Sequence, residues 1–534
     1  MVSPKKLLVL GFASVPIVTS IKLGAPGVAS ISCNGQVYTY GGLVGFGSLQ
    51  SDARDQYGDT ISIGSSMAIK DWKKTDKRYK GTMYGLPDRG WNTNGTQNSI
   101  PRIHVFDIFF EPVPDVTAAK PSGPNLEFYY KRTILLSGPD GKPLTGLDPD
   151  FAGGQTYPGF PTMPAATYPG DGFGGPGPGD KRISLDAEGL VVDGDSFWIS
   201  DEYGPFIYHF SKDGKMLAAI QPPDALLPIR KGRVSYNSNT PRIYNQSYIP
   251  DPEDPDHGRQ NNQGFEGLTM SADGRSLWVM LQSAAQQDGG GSSSTRRNAR
   301  LLKYLKKQKS DKDDVEVTYE AEYVVPLPTF ENAEGEKRVA AQSEILEISD
   351  TQLLVLARDS NAGRGQEDPL SRYRHVDIID VSTATNIKGP EFDDIQNGNV
   401  TDGVDSDTLL AGIKPAELCP FIDYNINSEL NKFMTAEGDV IHNGAPVNLG
   451  LLNEKWEALA LVPVHTSGKG KSCGKSSDDY YLITLSDNDF ITDNGFYNFG
   501  QTSYVDDSAT VPFLHSQALV FQVTLPKTSK PFAR

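Results

Sequence analysis

Short apolar runs punctuated by turns carry most of the order in this chain. They are rich in β-branched and aromatic residues and bounded by Gly, Asp, Asn or Pro, while helical periodicity is scarce. One phrase recurs: a carboxylate, an apolar run, a turn, then a second apolar run ending on a charged residue. It reads LDAEGLVVDGDSFWISDEYG from Leu185, QGFEGLTMSADGRSLWVMLQ from Gln263 and AQSEILEISDTQLLVLARD from Ala341. NEKWEALALVPV from Asn453, an insertion and DYYLITLSDND form a fourth copy, and Ile63 to Trp91 a weaker fifth. The first glutamates, Glu188, Glu266 and Glu344, are spaced by 78 residues, and Glu457 opens the next copy. Repetition on this scale predicts an array of similar sheets, an all-β propeller.

Within the best copy, Leu190–Val192, Ser196–Ser200, Phe206–Phe210 and Met216–Ile220 read as four strands in meander order, with Asp193-Gly194-Asp195 as the first hairpin turn. Five copies are visible. The runs Gln36–Gly45 and Gln517–Leu525 either complete a sixth blade or close the ring by sharing one. Six blades are expected, with five or seven compatible. Asp148–Asp180, Asp251–Gln263, Gln286–Asn298 and Gly389–Ala416 read as long irregular loops on one face, and the first, rich in Gly and Pro, as a cover over a surface or pocket.

Composition narrows the function classes. The net charge of -17 and the lack of any basic stripe argue against a nucleic-acid partner. The Lys-rich run Lys303–Lys312 is followed by Asp313 and Asp314 and reads as a solvated strand or loop. Lys5, Lys6 and the apolar stretch Leu7–Val18 read as a secretory signal over residues 1–20, with cleavage as late as 30, and no other segment is apolar enough to span a membrane. Sequons at Asn94, Asn245 and Asn399 agree with a secreted glycoprotein. Cys33, Cys419 and Cys473 allow at most one disulfide, and a Cys33–Cys419 bridge would help close a ring. The chain is expected to be a single propeller domain over 31–527 with a tail at 528–534, acting as a monomer.

In a propeller, equivalent repeat positions share one height around one axis. Glu188, Glu266, Glu344 and Glu457 open equivalent first strands; Asp201, Asp359 and Asp487 close second strands, with Asp88 in that place in the weak copy and Glu202 and Asp489 alongside. Such a ring repels itself unless protons or a cation neutralise it, and a hard divalent cation, calcium above all, suits these oxygen ligands. Any one of these carboxylates more often caps a strand or pairs with Arg; it is the set that favours a metal. Arg89 and Arg358 lie at the same height and suit either a phosphate clamp or a salt bridge to the ring, as does Lys455. GxSxG, HExxH and GxxxxGK[ST] are all missing, which argues against a nucleophile-elbow serine hydrolase, a zinc hydrolase and a P-loop protein. His104, His209 and His375 read as packing residues, and so do Trp198 and Trp278. Trp91 and Trp456 adjoin the ring, where packing is favoured over stacking on a ligand.

GDTISIGSSMAI, YGLPDRGWNTNGT, NNQGFEGLTMSADGRSLW, AAQSEI, LVLARDSNAGRGQ, LLNEKWEALALVPV and SDNDFIT closely resemble the secreted fungal proteins of the "esterase-like activity of phytase" family, from about Cys33 to Lys527. The resemblance implies a β-propeller. The family's recurring acids fall on Glu188, Asp201, Glu202, Glu266, Glu344, Asp359, Glu457, Asp487 and Asp489, and Cys473 looks peculiar to this chain. The resulting expectation is a calcium-dependent phosphoesterase acting on a small anionic or ester substrate. Glu266 or Glu188 would serve as base, and Arg89 and Arg358 as clamps. An esterase or lactonase on the same scaffold, with the Asp148–Asp180 loop as lid, and a non-enzymatic propeller with structural calcium are the alternatives.

Overall fold

Tight turns convert each repeat into an antiparallel meander. In the second blade, Ala187–Asp193, Ser196–Asp201, Ile207–Phe210 and Met216–Ile220 pair in sequence order. The first two strands join through Gly194-Asp195, where Gly194 takes the left-handed conformation that a two-residue turn demands. The first blade (Ser66–Thr75 to Leu126–Leu135), the third (Phe265–Met270 to Val315–Pro326) and the fourth (Ala341–Glu347 to Glu417–Asp423) repeat the pattern. The computed structural model describes residues 29–113, 115–308, 315–466, 478–511 and 513–532. The expected signal segment over residues 1–20, Cys473 and the end of the Lys303–Lys312 run lie outside them.

Five blades close the ring. The fifth takes Trp456–Pro463 and Asp479–Ser486 from the last repeat, then Ser516–Thr524, then Gln36–Leu49 and Ala29–Cys33 from the start of the chain. The favoured count of six is thereby replaced by five. The last repeat brings only two strands of its own, and the two chain ends complete that sheet instead of building another. Cys33 is bonded to Cys419, which ties the outer strands of the fifth and fourth blades together.

Packing follows the same geometry. Five apolar clusters each fill one gap between neighbouring blades. Fully burying a Leu, Ile, Val or Phe in such a layer contributes about 1.5–3 kcal/mol, so the inter-blade layers carry most of the stability. Trp198 and Trp278 are buried in them. Polar bonds stitch the innermost strands: Ser200 Oγ accepts from Gly189 N and donates to Glu266 O, and Gln342 donates to Met280 O.

Antiparallel pairing places the start of every first strand and the end of every second strand at one end of the ring. The loops from second to third strands and the connectors between blades therefore open on one face. The Asp148–Asp180 loop is more regular than expected: Ala165–Tyr168 pairs with Asp180–Ile183, and the Gly-rich turn folds around Asp171. Deeper in the channel Met67, Ile69, Leu190, Leu268, Leu346 and Leu461 line a second, smaller pocket, with Phe532 of the C-terminal tail among them. No helix among the described residues is long and apolar enough to cross a membrane.

Candidate functional site

An extra residue in the innermost strand of blades two, three and five makes a β-bulge at the loop-bearing end. A bulge re-aims the side chains around it. Glu188, Glu266 and Glu457 occupy these bulges and line a cavity of about 410 Å³ at the channel mouth. Small residues follow them, Gly189, Gly267 and Ala458, because the strands approach closely there. A Cβ on Gly267 would stand 2.7 Å from Ile345 N.

Loops complete the cavity with Asp88, Asp186, Glu202, Glu454 and Asp489, so eight carboxylates face Arg89, Arg358 and Lys455 across it. The cations are engaged. Arg89 donates to Asp186 at 2.7 Å and to Asn262 at 2.5 Å. Arg358 donates to Glu457 at 2.5 Å, and Lys455 to Asp489 at 2.5 Å. Of the two arginine readings, the geometry gives the salt bridge to ring carboxylates. Burial opposes the charge of Lys455, but Asp489, Glu457 and Asp88 hold its pKa well above the ordinary value.

The surplus of carboxylates shows in their protonation. Burial first, then Asp186, pushes Asp88 up to about 7 and Glu202 up to about 8. Glu188 and Glu266 stand well above the usual carboxylate range, through burial and then their acidic neighbours. Asp186, Glu188 and Glu202 each offer an oxygen within 4.8 Å of the others. Glu202 Oε1 and Glu266 Oε2 are buried and accept no hydrogen bond among the described residues. Hard oxygen donors without protein partners, in a site short of positive charge, fit a calcium-type cation.

Other members of the expected ring have different surroundings. Asp201 accepts from the backbone N–H groups of Asp186, Tyr203 and Gly204 and from Tyr208, folding the turn that presents Glu202. Asp359 accepts from Ser371 and from the N–H groups of Arg372 and Tyr373. Asp487 sits behind the wall, bonded to Ser62, Ser65 and Asp489 N. Glu344 lies lower in the channel, where its carboxylate accepts from Leu268 N, Ile345 N and Ser66 Oγ. These four are buried acceptors bonded to protein donors and do not line the cavity. The ring is therefore smaller than repeat position alone implies.

Residues 76–490 match the family model "Phytase-like: Esterase-like activity of phytase". The chain belongs to this phytase-like family. It is 48% identical over 482 residues to an uncharacterized secreted protein of Arthroderma benhamiae, covering 88% of this chain and 91% of that one. Among solved structures it is similar to a luciferin-regenerating enzyme at 10% identity, with 89% of this chain and 95% of that chain covered and a TM-score of 0.25. Drosophila Semaphorin 1a, extracellular domains 1–2, gives 12%, 62% and 63%, with a TM-score of 0.15. Likeness at that level bears on neither mechanism nor ligand.

Four cavity residues of this phytase-like chain, Asp186, Glu454, Gln282 and Asn262, are not singled out by repeat position. Asp186 stands inside the quoted phrase two residues before Glu188, in the connector that leads into the second blade. Glu454 precedes Lys455 in the connector into the fifth blade, outside any repeat position. Trp91 stacks on Tyr504 and donates to Asp506, and Trp456 donates to Asn453 O, so both are packing residues. His209 stacks on Trp198, His375 stacks on Tyr373 and His104 bonds Thr133; none of the three lines the cavity.

Proposed function

We propose that this chain is a secreted, metal-dependent ester hydrolase whose substrates are phosphoesters and whose active site is the acidic cavity. One observation carries the reading: three buried carboxylates converge within 4.8 Å, and one of their oxygens, Glu202 Oε1, together with the neighbouring Glu266 Oε2, has no donor among the described residues. Family membership supports the reaction class. Asp186, Glu188 and Glu202 would hold the cation, with calcium the best match to an all-oxygen set. A divalent cation held by them would supply charge neutralisation toward phosphate and Lewis acidity toward water. Glu266 faces the same space with Oε2 free, and it is the base that would take a proton from attacking water. Arg89, Arg358 and Lys455 act in this reading by orienting Asp186, Glu457 and Asp489.

The walls favour a polar substrate over an apolar ester, since Ala341, Ile491 and Ala509 are the apolar side chains lining them. No residue of the Asp148–Asp180 loop lines the cavity, so the lid that a lactonase reading relied on is not supplied by that loop. The secreted relative and the Cys33–Cys419 disulfide support secretion, in keeping with the expected N-terminal signal. Glycans on exposed Asn94 and Asn245, and action as a monomer, belong to the same reading.

The test is calcium titration by calorimetry on chelator-stripped protein, with phosphate release from phytate and simple phosphomonoesters measured on the same sample. Binding with release supports the hydrolase. Binding without release, on phosphoesters, aryl esters and lactones alike, would reduce the cavity to a structural clasp. Absence of binding would remove the metal.

A further inference from the structure

The Gly- and Ser-rich insertion Gln286–Asn298 takes no part in the acidic cavity. It ends in turns in which Thr295 N and Arg296 N both donate to Ser292 O. They deliver Arg296 to a second groove of about 560 Å³, next to the hairpin formed by Thr329–Glu331 and Lys337–Val339. Val339 N donates to Ser293 O and holds insertion and hairpin together. The groove shares Ser360 and Gln366 with the acidic cavity, so the two spaces adjoin.

Its charges are unevenly matched. Arg372 is paired with Asp368 at 2.6 Å, and Asp359 is held by Ser371 and by backbone N–H groups. Arg338 contacts the exposed Glu336. Glu334 and Glu367 stand on the exposed rim. Arg296 has no carboxylate partner and no side-chain hydrogen bond among the described residues, and its Nε is sealed from solvent without an acceptor. Burial, and then the charge of Arg338, pull its pKa down. In a chain of net charge -17, a half-buried guanidinium left beside a second one is an open position for an anion.

We propose that this groove binds an anionic group, phosphate or carboxylate, of a ligand whose other anionic group reaches the acidic cavity. Arg296 and Arg338 supply the forked donors, and Ser293, Asn332 and Asn361 line the same walls. The ligand class is thereby narrowed to organic anions that carry two or more anionic groups, for which phytate is the probe. Only the placing of the other anionic group in the acidic cavity rests on the hydrolase reading.

The test is calorimetric titration of phytate, and separately of inorganic phosphate, into the full-length protein in excess chelator. Wild type should bind one phytate. Arg296→Gln and Arg338→Gln should each weaken that binding about tenfold, the scale of one lost charge-assisted contact. Arg275→Gln, at an exposed surface pair, should not change it. Arg338 lies on an exposed hairpin, so its variant serves if Arg296→Gln folds poorly. Phytate binding that is absent in wild type, or equal in the Arg variants, overturns the proposal. The two readings fail separately. Groove binding without calcium-dependent phosphate release would overturn the hydrolase and keep the groove. Release with KM for phytate unchanged in Arg296→Gln would do the reverse.

Discussion

Glu266 and Glu344 hold the same place in successive repeats and have opposite surroundings. Glu266 sits in a bulge, with Phe265 paired to Leu281 before it and Leu268 paired to Val279 after it. Its Oε2 enters the cavity wall without a donor. In the fourth blade the extra residue is Ser343, and Glu344 pairs regularly with Leu356. A displacement of one residue along a strand turns a side chain to the other face. Glu344 is therefore aimed at neighbouring blades, where it takes two N–H groups and the Ser66 hydroxyl, and Ser66 in turn accepts from Leu190 N. One carboxylate joins four blades, while the other is left for something outside the protein. The register of the bulge, more than the identity of the residue, separates clasp from ligand.

The widest gap between the two should appear in cation binding. Glu202→Gln, at a proposed cation ligand, should weaken calcium about a hundredfold by calorimetry, and Glu266→Gln, beside that set, about tenfold, because each removes a carboxylate oxygen that no donor among the described residues satisfies. Glu344→Gln and the surface variant Glu336→Gln should leave the affinity within about twofold of wild type. Equal losses at Glu266 and Glu344 would place both in one ring and break the distinction.

The sequence carried more of this distinction than the repeat phrase alone suggests. The strand pattern, the meander order and the presence of five repeats were readable because period-two alternation and Asp-Gly turns are local signals. The blade count was readable only as a choice, since Gln36–Gly45 and Gln517–Leu525 could build a sixth blade or share one; the ring closes by sharing, through the pairing of Ser516–Thr524 with Gln36–Leu49, which no local pattern selects. For the site, Glu188-Gly189-Leu190, Glu266-Gly267-Leu268 and Glu457-Ala458-Leu459 share a small middle residue, whereas Glu344-Ile345-Leu346 does not. That substitution marks the blade whose bulge is displaced. Asp186 and Glu454 reach the cavity from connectors, and Arg296 from an insertion, where repeat position gives no guide to direction.

A smaller effect tests why the bulge needs that middle residue. Gly267→Ala should destabilise the fold by about 2 kcal/mol in urea unfolding, because the new Cβ would press on Ile345 N at 2.7 Å and backbone gives way less readily than a side chain. Gly123→Ala, with open space around it, should shift stability by less than about 0.5 kcal/mol. If Gly267→Ala were equally harmless, close approach of the third and fourth blades would not be what sets the register.

The smallest effect lies in the pH dependence of Glu344. Burial pushes its carboxyl up to about 8, against three donors that pull it down. An unfolded glutamate titrates near ~4.3, so between these values the folded chain keeps a proton that the unfolded chain has released. The stability this gives is fully present below the unfolded value and is lost as pH rises through about 8. Glutamine at this position carries no titrating proton. The stability of wild type relative to Glu344→Gln, measured in chelator, should therefore fall by at least about 1 kcal/mol between pH 5.5 and pH 8. A flat difference would mean that the carboxylate is charged throughout and fully satisfied by Leu268, Ile345 and Ser66. The clasp would then owe nothing to a proton, and its contrast with the donor-free Glu266 would rest on hydrogen bonding alone.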